Sequence, residues 1–552
     1  MTLPTRPSLT KTLEHTVLIW DGAMGTQTQG YELDIESDYM GCENCPDVLC
    51  LTRPDIIQEI HANYYRAGAD VVTTNTFGAA AHTLGEFDLA HRAEELACAG
   101  ATVARRAADE FSTPDKPRFV AGSLGPGTKL ITLGQITFDA MRDSYADAAR
   151  GLIKGGVDAV LLETCQDLLQ IKAALAGIRL AATQLDLDPD SVPVMVSITI
   201  EQTGTMLIGT SIEAAIEALR PLPIASLGLN CATGPVEMVS TVRTLASKWD
   251  RLITVMPNAG LPALVKGETL YPLTSQGFQD AMEIFLREGL INAVGGCCGT
   301  TPEHISYLAN LVKDTALGQR PETTIIPACS SLYSAVEYRQ DASFLIVGER
   351  CNSSGSRAFK RLLESQDMEG ICSLAKNQVK DGSHILDVNV DVAGRDGPTD
   401  MHEVISRLVQ QADAPLMLDS TAPETIEAGL KAAGGKCIIN SANFEDGEER
   451  FDQLCKLAKD YGAALVIGTI DEDPEEAMAR TADRKFEIAE RAIKRATSVH
   501  GLAESDLFID PLVLPISTGL DSDRRSAHAL IEGSKRIVEA YPAVQLTCGL
   551  SN

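Results

Sequence analysis

Two adjacent cysteines bracketed by glycines, Gly295-Gly296-Cys297-Cys298-Gly299-Thr300, follow the apolar run Ile291-Asn292-Ala293-Val294. Neighbouring thiols do not pair easily with each other, but both can bind one soft metal. A strand that ends in glycines lets bare backbone approach whatever those thiols hold. Cys231, in Gly228-Leu229-Asn230-Cys231-Ala232-Thr233-Gly234, has a similar strand-end setting and offers a third thiol. Three protein ligands with an exchangeable fourth position form a catalytic zinc pattern, whereas four closed ligands form a structural one. Zinc held by three thiolates is a weak activator of water but suits a further thiolate. Coordination strips a substrate thiol of its proton, although a free thiol has a pKa of about 8.5. The chemistry so implied is alkyl transfer to a thiol. The competing reading is that buried cysteines are inert small hydrophobes; three at matching strand ends with flanking glycines favour ligands.

The elements that must carry these residues recur in a strand-then-helix rhythm. Apolar runs at 16–20, 70–74, 118–121, 158–162, 193–200, 226–229, 252–256 and 291–294 each end in polar or glycine residues. Helical patterns such as 55–67, 90–111 and 138–155 lie between them. Near-continuous apolar strands separated by amphipathic helices indicate a parallel sheet buried on both faces, and eight repeats indicate a closed barrel. The rhythm lapses over 316–343, which reads as a linker, and restarts with runs at 344–347, 384–386, 415–418, 436–439, 463–468, 507–509 and 544–548. The expected fold is α/β, with two tandem (β/α)8 TIM-type barrels, the second lacking its last β/α unit in this chain. The domains are expected at 1–315, 316–343 (linker) and 344–552.

Active sites of such barrels lie at the C-terminal ends of the strands. In the first barrel those ends carry Asp21, Asn75, Thr76, Glu163, Asn230, Cys231, Asn258, Cys297 and Cys298. An amino-acid thiol needs carboxylates for its ammonium group, which Asp21 and Glu163 supply, and backbone amides for its carboxylate, which the glycine turns supply. Either acid could equally cap a helix or line the barrel. His304, in the first turn of the helix after the double cysteine, is expected to face away. Cys42-Glu43-Asn44-Cys45, with Cys50 nearby, has ligand-like spacing but no second pair, and reads as loop packing rather than a further metal or redox site.

The second set of strand ends differs: Glu349, Asp387, Asn389, Asp419, Asn440, Asp471, Asp510 and Asn552. Converging acids and amides suit a neutral, donor-rich heterocycle such as a pterin; a Mg2+ or Ca2+ carboxylate site is the alternative. Glycine-rich phosphate loops and a dinucleotide fingerprint are absent from the sequence.

The formal charge of −29 argues against nucleic-acid or anionic-membrane partners, both of which demand a basic surface. No apolar run approaches the roughly 18 to 20 residues of a spanning helix, and residues 1–11 do not resemble a signal peptide. Fourteen cysteines in 552 residues are too dilute for a disulfide scaffold. A cytoplasmic enzyme with reduced thiols is the expectation.

Asp21-Gly22-Ala23-Met24-Gly25-Thr26, Thr74-Asn75-Thr76-Phe77, Gly228-Leu229-Asn230-Cys231 and the run 295–300 resemble the homocysteine-binding barrel of the homocysteine S-methyltransferases. Gly348-Glu349-Arg350, Leu386-Asp387-Val388-Asn389, Leu418-Asp419-Ser420, Ile439-Asn440-Ser441 and 549–552 resemble the pterin-binding barrel that follows it in the cobalamin-dependent methionine synthase family. The resemblance implies zinc on Cys231, Cys297 and Cys298, and homocysteine contacts from Asp21, Asn75, Thr76 and Glu163. It also implies 5-methyltetrahydrofolate contacts from Asp387, Asn389, Asp419, Asn440, Asp510 and Asn552. Asp510 and Asn552 would assist catalysis near the methyl-bearing nitrogen, a poor leaving group unless protonated. Methyl would pass through a cobalamin, bound by a domain or corrinoid protein absent from this chain, to homocysteine. The alternatives are a cobalamin-independent enzyme using S-methylmethionine or betaine, which would not need the second barrel, and a folate- and zinc-binding module that serves a separate corrinoid protein.

Overall fold

The computed structural model describes residues 7–265, 268–473, 477–515 and 523–549. Spatial proximity divides the chain into two units, Met1–Ile212 with Pro223–Ile325, and Glu213–Leu222 with Ile326–Asn552.

The first unit contains β1 (Leu18–Ile19), β2 (Val71–Thr73), β3 (Phe119–Leu124), β4 (Ala159–Cys165), β5 (Val194–Ile198), β6 (Ser226–Asn230), β7 (Leu252–Met256) and β8 (Ala293–Val294). All neighbours pair in parallel, from β2 through β8 and back to β1 by the Leu18–Ala293 register. A Trp20–Val71 bridge joins β1 to β2 and brings the ring to closure. Every residue of β3, β5 and β6 is buried, as a sheet covered on both faces requires. The intervening helices stop where the sequence makes them stop. Phe138–Gly155, for example, starts at Thr137, whose hydroxyl accepts from the Ala140 amide, and ends at Gly156 with φ +87°. Leu9 and Leu13, on the short helix Leu9–Leu13, join Leu18, Trp20, Phe119, Leu161 and Met195 in one apolar cluster. That cluster closes the barrel at the N-terminal ends of its strands and leaves the C-terminal ends for chemistry.

The second unit contains β9 (Val347–Asn352), β10 (Ile385–Asn389), β11 (Leu416–Asp419), β12 (Ile438–Ala442), β13 (Ala464–Gly468), β14 (Leu507–Asp510) and β15 (Gln545–Leu546), paired in parallel in chain order. Both units are thus α/β barrels of the TIM type, with seven parallel strands in the second. β9 begins three residues later than the apolar run at 344 suggests, because pairing starts at Val347 with Ile385 and Phe344 is 90% exposed. The span expected as a linker carries an antiparallel hairpin, Ala328–Ser330 with Ala335–Glu337. Its Cys329, with Tyr338 just beyond it, packs on Ile385, Met417, Ile438, Val466 and Phe508 at the floor of the barrel. Lys436, 2% exposed, is bonded there to Asp506 at 2.6 Å, and the Tyr338 hydroxyl donates to the same carboxylate. No helix among the described residues is long and apolar enough to cross a membrane.

Candidate functional site

Cys231 follows β6 directly, and its φ of +62°, with +55° at Ala232, turns the chain sharply before the helix Pro235–Lys248. Cys297 and Cys298 follow β8 in a turn that only glycine can build. A Cβ on Gly296 would stand 2.4 Å from the Thr300 hydroxyl, and Gly299, at φ +78°, has the Tyr271 ring against it. The backbone of this turn is fixed from both sides. The Cys297 amide donates to the Pro257 carbonyl at 2.8 Å, the Cys298 amide to Asn258 Oδ1 at 3.1 Å, and the Thr300 hydroxyl to the Cys297 carbonyl at 2.6 Å.

The three sulfurs all lie within 4.8 Å of one another, with Cys231 and Cys298 at 4.0 Å. A tetrahedral zinc with sulfurs at about 2.3 Å sets them about 3.8 Å apart. The donor set therefore fits such an ion in type and in spacing. Among the described residues this is the one group of three or more His, Cys, Asp or Glu with metal-binding geometry. Hydrogen bonds from Cys231 and Cys297 push the Cys298 thiol down to about 3, and the same sulfur contacts push Cys297 well up. Three sulfurs this close resist ionising together; a divalent ion would let all three do so.

Asp21, 3% exposed, lies at the end of β1, accepting from the Thr73 amide at 2.8 Å and its hydroxyl at 2.6 Å. Burial pushes its carboxyl up to about 8. Glu163, at the end of β4, is pushed up to about 7 by burial, and the Ser123 hydroxyl donates to it. Glu163 adds to the rise of Asp21 and is itself raised by the charge of Cys298, so the two acids and the sulfurs share one barrel mouth. Asn75 and Thr76 lie at the end of β2 but turn to packing. The Asn75 amide donates to the Pro46 carbonyl at 2.7 Å, and the Thr76 hydroxyl to the Ser123 carbonyl at 2.7 Å.

Asn230 was legible as a strand-end residue but not as an orienting one. It exchanges hydrogen bonds with the amide and hydroxyl of Thr164 at 2.9 and 2.8 Å and reaches Cys297 Sγ at 3.9 Å. Asn230 and Asn258 together set how the cysteines are presented. His304 is occupied elsewhere, with Nδ1 at Thr301 and Nε2 at the Leu273 carbonyl. Cys45 and Cys50 are buried; Cys45 packs with Val48, Leu84 and Leu96, and its thiol is pushed up to about 12 by burial. That is loop packing.

In the second barrel Asp387, 2% exposed, accepts from Asn352 Nδ2 at 2.8 Å and Asn440 Nδ2 at 3.3 Å. Asn352 Nδ2 also donates to Asp419 Oδ2 at 2.8 Å, so one amide bridges two carboxylates from adjacent strands. Burial, and then the neighbouring Asp419 charge, raises Asp387 to about 7; burial raises Asp419 to about 6. Carboxylates held by amide donors leave acceptor lone pairs directed at a ligand. Asn389 accepts from the Ser353 hydroxyl at 2.7 Å and the Asp391 amide at 3.0 Å, which commits its carbonyl to the turn after β10. Asp510, raised by burial, accepts from the Leu512 amide at 2.8 Å. Asp471 is paired with Arg484 at 2.6 Å. Asn552 lies outside the described residues.

Residues 18–312 match the family model described as homocysteine S-methyltransferase, and residues 348–552 the one described as pterin binding enzyme. The curated methionine synthase of Mycobacterium tuberculosis (strain ATCC 25618 / H37Rv) is 46% identical over 545 residues, covering 98% of this chain and 45% of that protein. The methionine synthase of Mycobacterium leprae (strain TN) is 44% identical over 551 residues, covering 99% of this chain and 45% of that protein. The chain thus spans less than half the length of these relatives. Among solved structures, the homocysteine methyltransferase MmuM from Escherichia coli aligns with a TM-score of 0.43 at 20% identity, covering 54% of this chain and 97% of that one. The matched region from 18 to 312 contains all three clustered cysteines and the whole ring that presents them, and on that match the chain belongs to the homocysteine S-methyltransferase family, with a pterin-binding-enzyme region following in the same chain.

Proposed function

We propose that this chain prepares both ends of a methyl transfer from 5-methyltetrahydrofolate to homocysteine, forming methionine, with a corrinoid carrier held by a separate module. In the net reaction the N5–CH3 bond breaks and an S–CH3 bond forms. The thiol proton leaves, and the electron pair left on N5 takes up a proton. The homocysteine module would lie within 1–315, and the folate module within 344–552 together with the 328–337 hairpin that floors it.

Cys231, Cys297 and Cys298 would hold zinc. When bound, that ion supplies a homocysteine thiolate at neutral pH. Asp21 and Glu163 face the same mouth and would receive the ammonium group, whose charge favours their ionised forms. Asn75 and Thr76 act by shaping the strand end, since their side chains are bonded to Pro46 and Ser123. Asp387, Asp419 and Asn440 would accept from the amino and ring N–H groups of the pterin, with Asn389 bracing the turn beside them. Asp510 and Asn552 would complete a hydrogen-bond network around the methyl-bearing nitrogen that eases its protonation. Reduced thiols throughout the fourteen unpaired cysteines suit the cytoplasm.

The observation that carries this reading is the three-sulfur cluster at the mouth of a ring in the homocysteine S-methyltransferase family. Its test is a set of three binding measurements on the full chain. The expected outcome is one zinc per chain, homocysteine binding that releases a proton only when zinc is present, and separate binding of 5-methyltetrahydrofolate. Homocysteine bound equally well by the zinc-free chain would contradict it.

A further inference from the structure

We propose that Lys485 is a positioning residue of the second barrel, whose ammonium gathers three backbone carbonyls and so fixes the loop that holds Asp510 at the barrel mouth. This rests on the reading of Asp510 as a folate contact. Lys485 is 1% exposed and is the fourth residue of the helix Ala482–Ser498, closing the first turn on the N-cap Thr481. A cation there opposes the helix dipole, and a buried ammonium is costly unless its donors are satisfied. Its Nζ donates to the carbonyls of Ala479 at 2.8 Å, Leu512 at 3.2 Å and Pro511. Three donors meet three acceptors, which come from the loops after β13 and β14.

The path from Lys485 to Asp510 is continuous. The Leu512 carbonyl receives the ammonium, and the Leu512 amide donates to Asp510 Oδ1 at 2.8 Å. Leu512 has φ +61°, a left-handed conformation that a leucine holds only when its surroundings fix it. The preceding residue, Arg484, is bonded to Asp471 at 2.6 Å, so consecutive side chains of one helix secure the ends of two strands. The helix Ser526–Ala540 closes over the lysine stem, since a Cβ on Gly533 would stand 3.2 Å from it.

Burial lowers the Lys485 ammonium to about 8, against the opposing influence of Asp510 after β14 and Cys548 after β15, and with Arg480 adding to the lowering. The clamp is therefore whole at pH 7 and weakens as pH rises through about 8.

The experiment measures 5-methyltetrahydrofolate dissociation constants from pH 7 to 9 for the full chain and for Lys485→Met, Lys485→Arg and Asp510→Asn, with thermal midpoints checking folding. The expected result is wild-type affinity falling several-fold towards pH 9, Lys485→Met weakened roughly tenfold at pH 7 and insensitive to pH, and Lys485→Arg insensitive to pH with affinity retained. A folded Lys485→Met that binds like wild type while Asp510→Asn is weakened would overturn the clamp alone. If Lys485→Met does not fold, a wild-type affinity that stays constant from pH 7 to 9 overturns it. If the wild-type chain binds no folate, the reading of the barrel fails instead. Amide hydrogen exchange at Leu512, Val513 and Leu514 then decides the clamp, with faster exchange at pH 9 than the intrinsic pH effect supporting it and unchanged protection sinking it.

Discussion

Removing one sulfur from a three-sulfur site leaves two ligands, too few to compete with water and buffer for zinc. Cys298→Ala is expected to lower zinc from one per chain to roughly a tenth or less, whereas Cys50→Ala, in the loop core, is expected to keep full zinc; metal analysis after dialysis checks both. Unchanged zinc in Cys298→Ala would refute the site. At the other mouth, Asn352→Ala would leave Asp387 and Asp419 without their shared donor, and folate binding is expected to weaken roughly tenfold, read by titration at pH 7. The cysteines were legible because a double cysteine between glycines has few structural uses and Cys231 repeats its setting. Asn352 was not, because its role comes from a register irregularity in β9, between Gly348 and Cys351, that no local pattern announces. Asn75 and Thr76 were legible as strand-end residues, but the bonds that turn their side chains into the packing involve Pro46 and Ser123, distant in sequence.

At the scale of elements, the strands of both barrels fell where apolar runs end in polar residues, since a sheet buried on both faces leaves that mark. The floor of the second barrel left no such mark. Its strands are three residues long and include Ser330 and Glu337. Lys436 secures that floor, and Lys436→Met would strand the partly buried Asp506 without its cation. A loss of about 3 kcal/mol in unfolding free energy is expected by denaturant titration, with a change under about 0.5 kcal/mol arguing that the pair is dispensable. The helix Pro54–Ala67 buries His61 completely, and neither ring nitrogen has a hydrogen-bond partner among the described residues. Burial pushes His61 down to about 3, so the folded form stays neutral while the unfolded form protonates near 6.5. The unfolded state then binds more protons between those values, and stability falls as pH falls from 6.5 towards 3, by up to about 1.4 kcal/mol per pH unit. His61→Leu is expected to show a smaller drop in melting temperature between pH 7 and pH 5 than wild type; an equal drop would assign the acid sensitivity elsewhere.

For the whole molecule, two chemistries stand in one chain: a soft sulfur site in one barrel and an acceptor-rich carboxylate–amide site in the other. On the proposed function the two act together, one barrel relieving the donor nitrogen of its methyl and the other the acceptor thiol of its proton. The most direct test follows labelled methyl from 5-methyltetrahydrofolate to homocysteine, using the zinc-loaded chain with and without added free cobalamin under reducing conditions. The expected result is labelled methionine only when cobalamin is present, and none with Cys298→Ala. No transfer in either case, with zinc, homocysteine and folate all bound, would contradict the methyl-transfer account and leave a binding module.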